Sequence, residues 1–160
     1  MLANGSPFPE LTLPTTTGEK LILPAALGGS YGVVLVYRGS WCPYCVGQLR
    51  SFATRNDSLL AENIKTVAFS ADPCATARQT VEELHIPFPV GCDADVPALA
   101  KALGSYTDPD MRFFQSTGFI LDPDGNLLQA VYSSGPIGRL VPTDVLGFVK
   151  TRRANVTTPS

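Results

Sequence analysis

Residues 32–49, GVVLVYRGSWCPYCVGQL, decide the reading of this 160-residue chain. Val33 to Tyr37 form an unbroken apolar run rich in β-branched residues, the pattern of a central strand covered on both faces. Arg38 to Trp41 make a short turn, and Pro43 then stands where a first helical residue stands, since its missing N–H is one of the helix's unpaired donors anyway. This puts Cys42 at the N-cap and Cys45 in the first turn, both near the positive end of the helix dipole. The thiolate is the reactive form of cysteine, and this location stabilises it. Two thiols at C-x-x-C spacing also close a small disulfide ring with little backbone movement. The stretch therefore predicts a dithiol that cycles, with Cys42 as an exposed nucleophile and Cys45 as the resolving thiol one turn inside.

Two other classes compete with a redox enzyme. C-x-x-C is half of a structural zinc site, and a zinc-binding scaffold would need two further ligands from Cys74, Cys92 and the single histidine, His85. Those residues do not form a second close pair, and a core strand before the motif with a helix after it is not the loop-rich setting of a zinc knuckle. No metal site is expected. A redox-switched binding module, whose dithiol alters a partner surface, is the other alternative.

Composition sets the class. Apolar residues make up 44% and charged residues 16%, so the chain is globular, and its length suits one domain over 1–160 with a frayed polar tail at 154–160. Net charge is −2 with no basic cluster beyond Arg152–Arg153, which gives no reason to expect nucleic acid or an anionic membrane as partner. The start, MLANGSPFPELTLP, lacks a basic lead and an apolar run of signal length, and no run is long enough to span a bilayer. A cytoplasmic location is the expectation, and there a C-x-x-C is more often catalytic than structural.

Outward from the motif, 11–13 and 21–23 read as short strands, and 24–27 as one helical turn ended by Gly28–Gly29. The C-x-x-C helix is expected to run to about residue 62, with Leu49, Phe52, Ala53 and Leu59–Leu60 on one face. Residues 64–70 form the next core strand. Asp72 as N-cap and Pro73 as first helical residue open a helix to about 85. A short strand at 88–90, a helix over 96–103 capped by Asp95, and a looser segment at 105–115 follow. Residues 117–121 and 127–132 form a hairpin about the type I turn Asp122-Pro123-Asp124-Gly125, and 142–152 close the chain as a helix. Strand–helix alternation followed by a hairpin and helix gives an α/β fold with a central mixed sheet and helices on both faces. C-x-x-C at the first βα turn of such a unit is the thioredoxin-like signal.

The strings VYRGSWCPYCVGQL, SADP, FPVGCDAD and GFILDPDGNLLQAVY together resemble the AhpC/TSA (peroxiredoxin-like) family of the thioredoxin superfamily over about residues 5–150. The resemblance implies a thiol-based oxidoreductase that reduces disulfides or hydroperoxides without a cofactor. Electrons would come from a thioredoxin-, glutaredoxin- or small-thiol-type donor. The family's Pro-x-x-x-Thr-x-x-Cys loop falls here on Arg38, Cys42 and Cys45, and its second arginine on Ser116. A cation at the sulfurs would then come from Arg38, Arg112 or Arg139. With the threonine and arginine replaced, the expectation is disulfide reduction by Cys42/Cys45 with slower hydroperoxide reduction. The alternative is a dedicated peroxiredoxin with Cys45 or Cys42 as peroxidatic cysteine.

Around the pair, Trp41 and Tyr44 are expected to rim the site as apolar contact surface, and Arg38 to hold a thiolate or peroxide oxygen. The resemblance brings Ser116 and Thr117 near the disulfide. Cys74, in the first turn of its own helix, and Cys92, after the following strand, fall at the same edge of the sheet as Cys42. They are read as buried free thiols by default and as a possible accessory redox pair.

Overall fold

The computed structural model describes residues 1–157. Its strands are β1 (Leu11–Pro14), β2 (Lys20–Leu23), β3 (Tyr31–Val36), β4 (Ile64–Phe69), β5 (Val90–Gly91), β6 (Thr117–Leu121) and β7 (Leu127–Tyr132). Its helices are α1 (Pro43–Thr54), α2 (Asn56–Ala61), α3 (Cys74–Leu84), α4 (Val96–Leu103) and α5 (Pro142–Thr157), with one 3-10 turn at Ala25–Leu27. β1 and β2 pair as an antiparallel hairpin, and the main sheet has the order β5-β4-β3-β6-β7. β3 is parallel to β4 and antiparallel to β6, so the sheet is mixed and the strand that leads into the C-x-x-C lies at its centre.

Alternation along β3 sorts the core into two layers. Val33, Leu35 and Tyr37 face Leu49 and Phe52 of α1, Ala77 of α3, and Val145 and Val149 of α5. Val34 and Val36 face Val96, Ala100 and Leu103 of α4 together with Leu11, Leu13, Leu21 and Leu23 of the hairpin. Both faces of β3 are thus covered, which is why its sequence shows no polar alternation. The fold is the expected α/β arrangement.

Four boundaries differ from expectation, each for a local reason. The C-x-x-C helix breaks at Arg55, which caps α1 and starts the separate α2. The strand expected at 88–90 is the two-residue β5, because Pro87 and Pro89 cannot donate to a ladder. α5 continues through 154–157, expected as tail, while 158–160 lie outside the described residues. Finally, the N-cap of α3 is Pro73, with no side-chain cap, and Asp72 turns elsewhere.

Candidate active site

Cys42 is the N-cap of α1 in extended conformation, and its Sγ accepts the Cys45 N–H at 3.4 Å. Pro43 follows as the first helical residue, as its fixed φ favours. The turn before Cys42 is tight: a Cβ added at Gly39 would lie 2.2 Å from Trp41 Nε1, so only glycine lets the indole sit on this backbone. The Arg38 N–H reaches back to Cys45 Sγ at 3.3 Å. Both sulfurs therefore lie where strand-end and helix-start amides point inward.

Two guanidinium groups complete the site. Arg139 Nη2 stands 2.9 Å from Cys45 Sγ and 3.9 Å from Cys42 Sγ. Its remaining donors are engaged, Nε with Pro136 O at 2.7 Å and Nη1 with Gln48 Oε1 at 2.6 Å. Gln48 is buried and is itself held by Leu140 O at 2.9 Å. Arg38 Nη1 lies 3.6 Å from Cys42 Sγ while its Nε donates to Gln115 Oε1 at 3.0 Å. The Arg38 guanidinium also covers the rings of Trp41, at 4.8 Å, and Phe113, at 5.3 Å. Each cation is locked by a glutamine, and each aims a free edge at sulfur.

The charge on the pair divides unequally. Burial opposes a thiolate at Cys42, but the Cys45 thiol, the Cys45 N–H, Arg38 and Arg139 outweigh it and lower the Cys42 pKa. Cys45 is pushed up, first by burial and then by its bond to Cys42, against the pull of Arg139. Arg139 makes its shortest contact to Cys45, yet Cys42 is the thiol more readily ionised, because Cys45 is the more deeply desolvated. Behind them the fully buried Tyr37 phenol, raised to about 12 mainly by burial, stays neutral and faces Ser70 without a well-directed hydrogen bond.

One expectation is corrected here. Cys42 is not an exposed tip: it retains 1% of its accessible surface and Cys45 none. Arg38 and Arg139 lie against the sulfurs, and the Trp41 and Phe113 rings pack edge to face at 5.0 Å under the Arg38 guanidinium. Trp41 and Tyr44 are each 55% exposed. Ser116 is buried just before β6, and Thr117 pairs with Val36, its hydroxyl bonded to Ser105 Oγ and Gln115 O. Their neighbour Gln115 is the residue that joins the site, through Arg38. Arg112 is occupied by Asp108 at 3.1 Å and does not carry the pair's charge.

Cys74 and Cys92 are joined in a disulfide, with Cα atoms 4.9 Å apart, whereas Cys42 and Cys45 are free thiols. The bridge replaces the default of two free thiols and removes the extra sulfur ligands that a zinc scaffold would need. Among the described residues no cluster of three or more metal-ligating side chains occurs, and no helix is long and apolar enough to cross a membrane.

Gln48, Gln115 and Asp72 were not singled out as site residues from sequence. Gln48 had a signal: it lies three residues after Cys45 on the same helix, hence on the same face. Gln115 had none, since only folding brings it 77 positions back to Arg38.

A model described as the AhpC/TSA family matches residues 4–130. A peroxiredoxin of Nanoarchaeum equitans is 28% identical over 156 residues, covering 94% of this chain and 69% of its own. A peroxiredoxin of Thermotoga petrophila is 28% identical, with 84% and 65% covered. A thiol:disulfide interchange protein DsbE of Pseudomonas fluorescens is 30% identical over 121 residues, with 74% and 64% covered. The chain thus spans about two thirds of the length of these relatives. Among solved structures, a cysteine-to-serine mutant of peroxiredoxin 6 of Arenicola marina superposes with a TM-score of 0.86 at 21% identity, covering 100% of this chain and 79% of that one. Peroxidoxin BcpB from Mycobacterium tuberculosis gives 0.80 at 20%, covering 97% and 99%. At such identities these two likenesses establish the thioredoxin-like fold.

Proposed function

The chain belongs to the AhpC/TSA family, and from that premise we propose that it is a thiol peroxidase for small hydroperoxides, with Cys42 attacking and Cys45 resolving. Thiol-dependent oxidoreductase chemistry follows from the family and its peroxiredoxin relatives; the proposal concerns which sulfur acts and on what. The observation that carries it is the pair of guanidinium groups converging on two buried sulfurs, Arg139 at 2.9 and 3.9 Å and Arg38 at 3.6 Å. Charge develops on both peroxide oxygens as the O–O bond breaks, and preorganised cations in a water-poor site are suited to stabilise it. They stand in for the arginine that Ser116 replaces. Burial adds a size argument. A protein disulfide must approach in line with the attacked sulfur, which 1% exposure at Cys42 obstructs, whereas a hydroperoxide is small enough to enter. This reverses the order expected from sequence, in which disulfide reduction came first.

In the first step the Cys42 thiolate attacks one peroxide oxygen, an S–O bond forms, the O–O bond breaks, and the departing alkoxide or hydroxide takes a proton to leave as alcohol or water. Cys42 becomes a sulfenic acid. Cys45, its proton lost, then attacks Cys42 Sγ, forming the Cys42–Cys45 disulfide and releasing water. A thioredoxin- or small-thiol-type donor returns two electrons and two protons by disulfide exchange.

A second reading has its own observation. Cys45 occupies the family's peroxidatic register and takes the shortest Arg139 contact together with the Arg38 N–H, so it is the alternative attacker. Mass spectrometry after one equivalent of peroxide decides. Wild type is expected to yield a Cys42–Cys45 disulfide, Cys45→Ser a sulfenic acid on Cys42, and Cys42→Ser little oxidation. A Cys42→Ser protein that is oxidised on Cys45 at the wild-type rate would transfer the attack to Cys45.

A further inference from the structure

Asp72 lies two residues before the bridged Cys74, where a carboxylate ahead of a proline and a helix is expected to cap that helix. It does not: α3 has no side-chain cap, and Asp72 Oδ2 accepts the Ser40 N–H at 2.9 Å. Ser40 stands two residues before Cys42, in the turn that sets where the attacking sulfur sits. Asp72 is only 8% exposed, and burial raises its pKa against the hydrogen bonds from Ser40 and Ser70. Burying a carboxylate costs free energy that a cap on α3 does not return here, so its binding partner is the active-site turn.

The segment carrying Asp72 sits at the weakest edge of the sheet. β5 pairs with β4 only at Ala68↔Val90 and Phe69↔Gly91. Beyond it the two segments continue through Ser70 N to Gly91 O at 3.3 Å, Ala94 N to Ser70 O at 3.4 Å and Asp93 N to Asp72 O at 2.8 Å. The Cys74–Cys92 bond closes this same pair of segments. Cys92 is fully buried and anchored through its N–H to Pro14 O at 3.0 Å, on the hairpin side. A covalent link thus fixes residues 72–74 where a two-residue strand offers few hydrogen bonds.

We propose that the Cys74–Cys92 disulfide and Asp72 form one positioning device for the catalytic pair: the bridge fixes Asp72, and Asp72 fixes the Ser40 amide and with it Cys42. The inference rests on the reading of Cys42 as the attacking sulfur. Asp72 makes no hydrogen bond to either sulfur, so it is a positioning residue, and the bridge is a structural input to reactivity at the other sulfur pair.

The test measures single-turnover oxidation by hydrogen peroxide and the ultraviolet titration of the thiolate, with melting curves to establish folding. Asp72→Ala and Cys74→Ser/Cys92→Ser are each expected to slow oxidation about ten- to a hundred-fold and to move the thiolate titration upward, as the turn releases Cys42 from Arg38 and the helix start. Asp72→Asn keeps an oxygen acceptor and is expected to stay within about twofold of wild type. The triple variant is expected to be no slower than the worse of its parents, because the two changes act along one path. A folded bridge-less protein with wild-type rate and titration overturns the proposal, as do additive effects in the triple variant. Should the bridge-less protein not fold, Asp72→Ala decides alone, and a wild-type rate and titration there overturns it. The Cys42 reading fails separately, through a Cys42→Ser protein that keeps the full rate.

Discussion

Of two thiols one helical turn apart, what surrounds each sulfur decides which ionises more readily. Burial opposes ionisation at both; at Cys42 the Cys45 thiol and N–H, Arg38 and Arg139 together outweigh it, and at Cys45 Arg139 and the Arg38 N–H do not. Arg139 is the group whose removal is most informative. Arg139→Ala is expected to lower the peroxide rate by about 10²–10³-fold, the range for losing one preorganised donor. Wild-type oxidation is expected to rise with pH through the lowered Cys42 pKa and to flatten above it, and in Arg139→Ala that midpoint moves up, since a stabilising cation has gone. Arg139→Lys keeps charge but not the fork that reaches Gln48 and both sulfurs, so it is expected to restore the midpoint more than the rate. An unchanged rate and midpoint in Arg139→Ala, measured by stopped flow across pH, would remove Arg139 from the site. At this scale the sequence exposed the two cysteines, because their spacing is local. It left Arg139 as one of three candidate cations, because a contact to Cys45 across 94 positions leaves no periodic trace.

At the scale of elements, α1 delivers the pair, and its inward face sets how firmly it does so. Leu49 and Phe52 are buried against the β3 face that carries Leu35 and Tyr37. Phe52→Ala is expected to destabilise the fold by about 3–5 kcal/mol, the sum of lost transfer and a residual cavity. Chemical denaturation measures this, and a loss below about 1 kcal/mol would mean that the site collapses around the gap or that α1 is not packed as described. This face was legible from the 3.6-residue spacing of Leu49, Phe52 and Leu59. The break at Arg55 was not, because Leu59 and Leu60 extend the same apolar pattern past it. Asp72 misled for the same kind of reason. Local chemistry makes it a helix cap, and only the tertiary bond to Ser40 redirects it.

At the scale of the molecule, strand–helix alternation and the doubly buried β3 gave the mixed sheet, and the strand order places the cysteines at the end of its central strand. What alternation does not give is how deeply the site is covered. Arg38 lies against Cys42 Sγ at 3.6 Å and Arg139 against Cys45 Sγ at 2.9 Å, and a nucleophile expected at an exposed tip is buried. On the proposed reading, burial and the two cations suit the pair to a small, polar oxidant. The rate constant for oxidation of the reduced protein by hydrogen peroxide tests this most directly, measured by stopped flow at a pH where Cys42 is ionised. The geometry predicts a value at least about 100-fold above that of a free cysteine thiolate, since two aligned cations act on the breaking O–O bond. A value equal to that of the free thiolate, with faster oxidation by a protein disulfide, would contradict the account and make disulfide exchange the primary reaction.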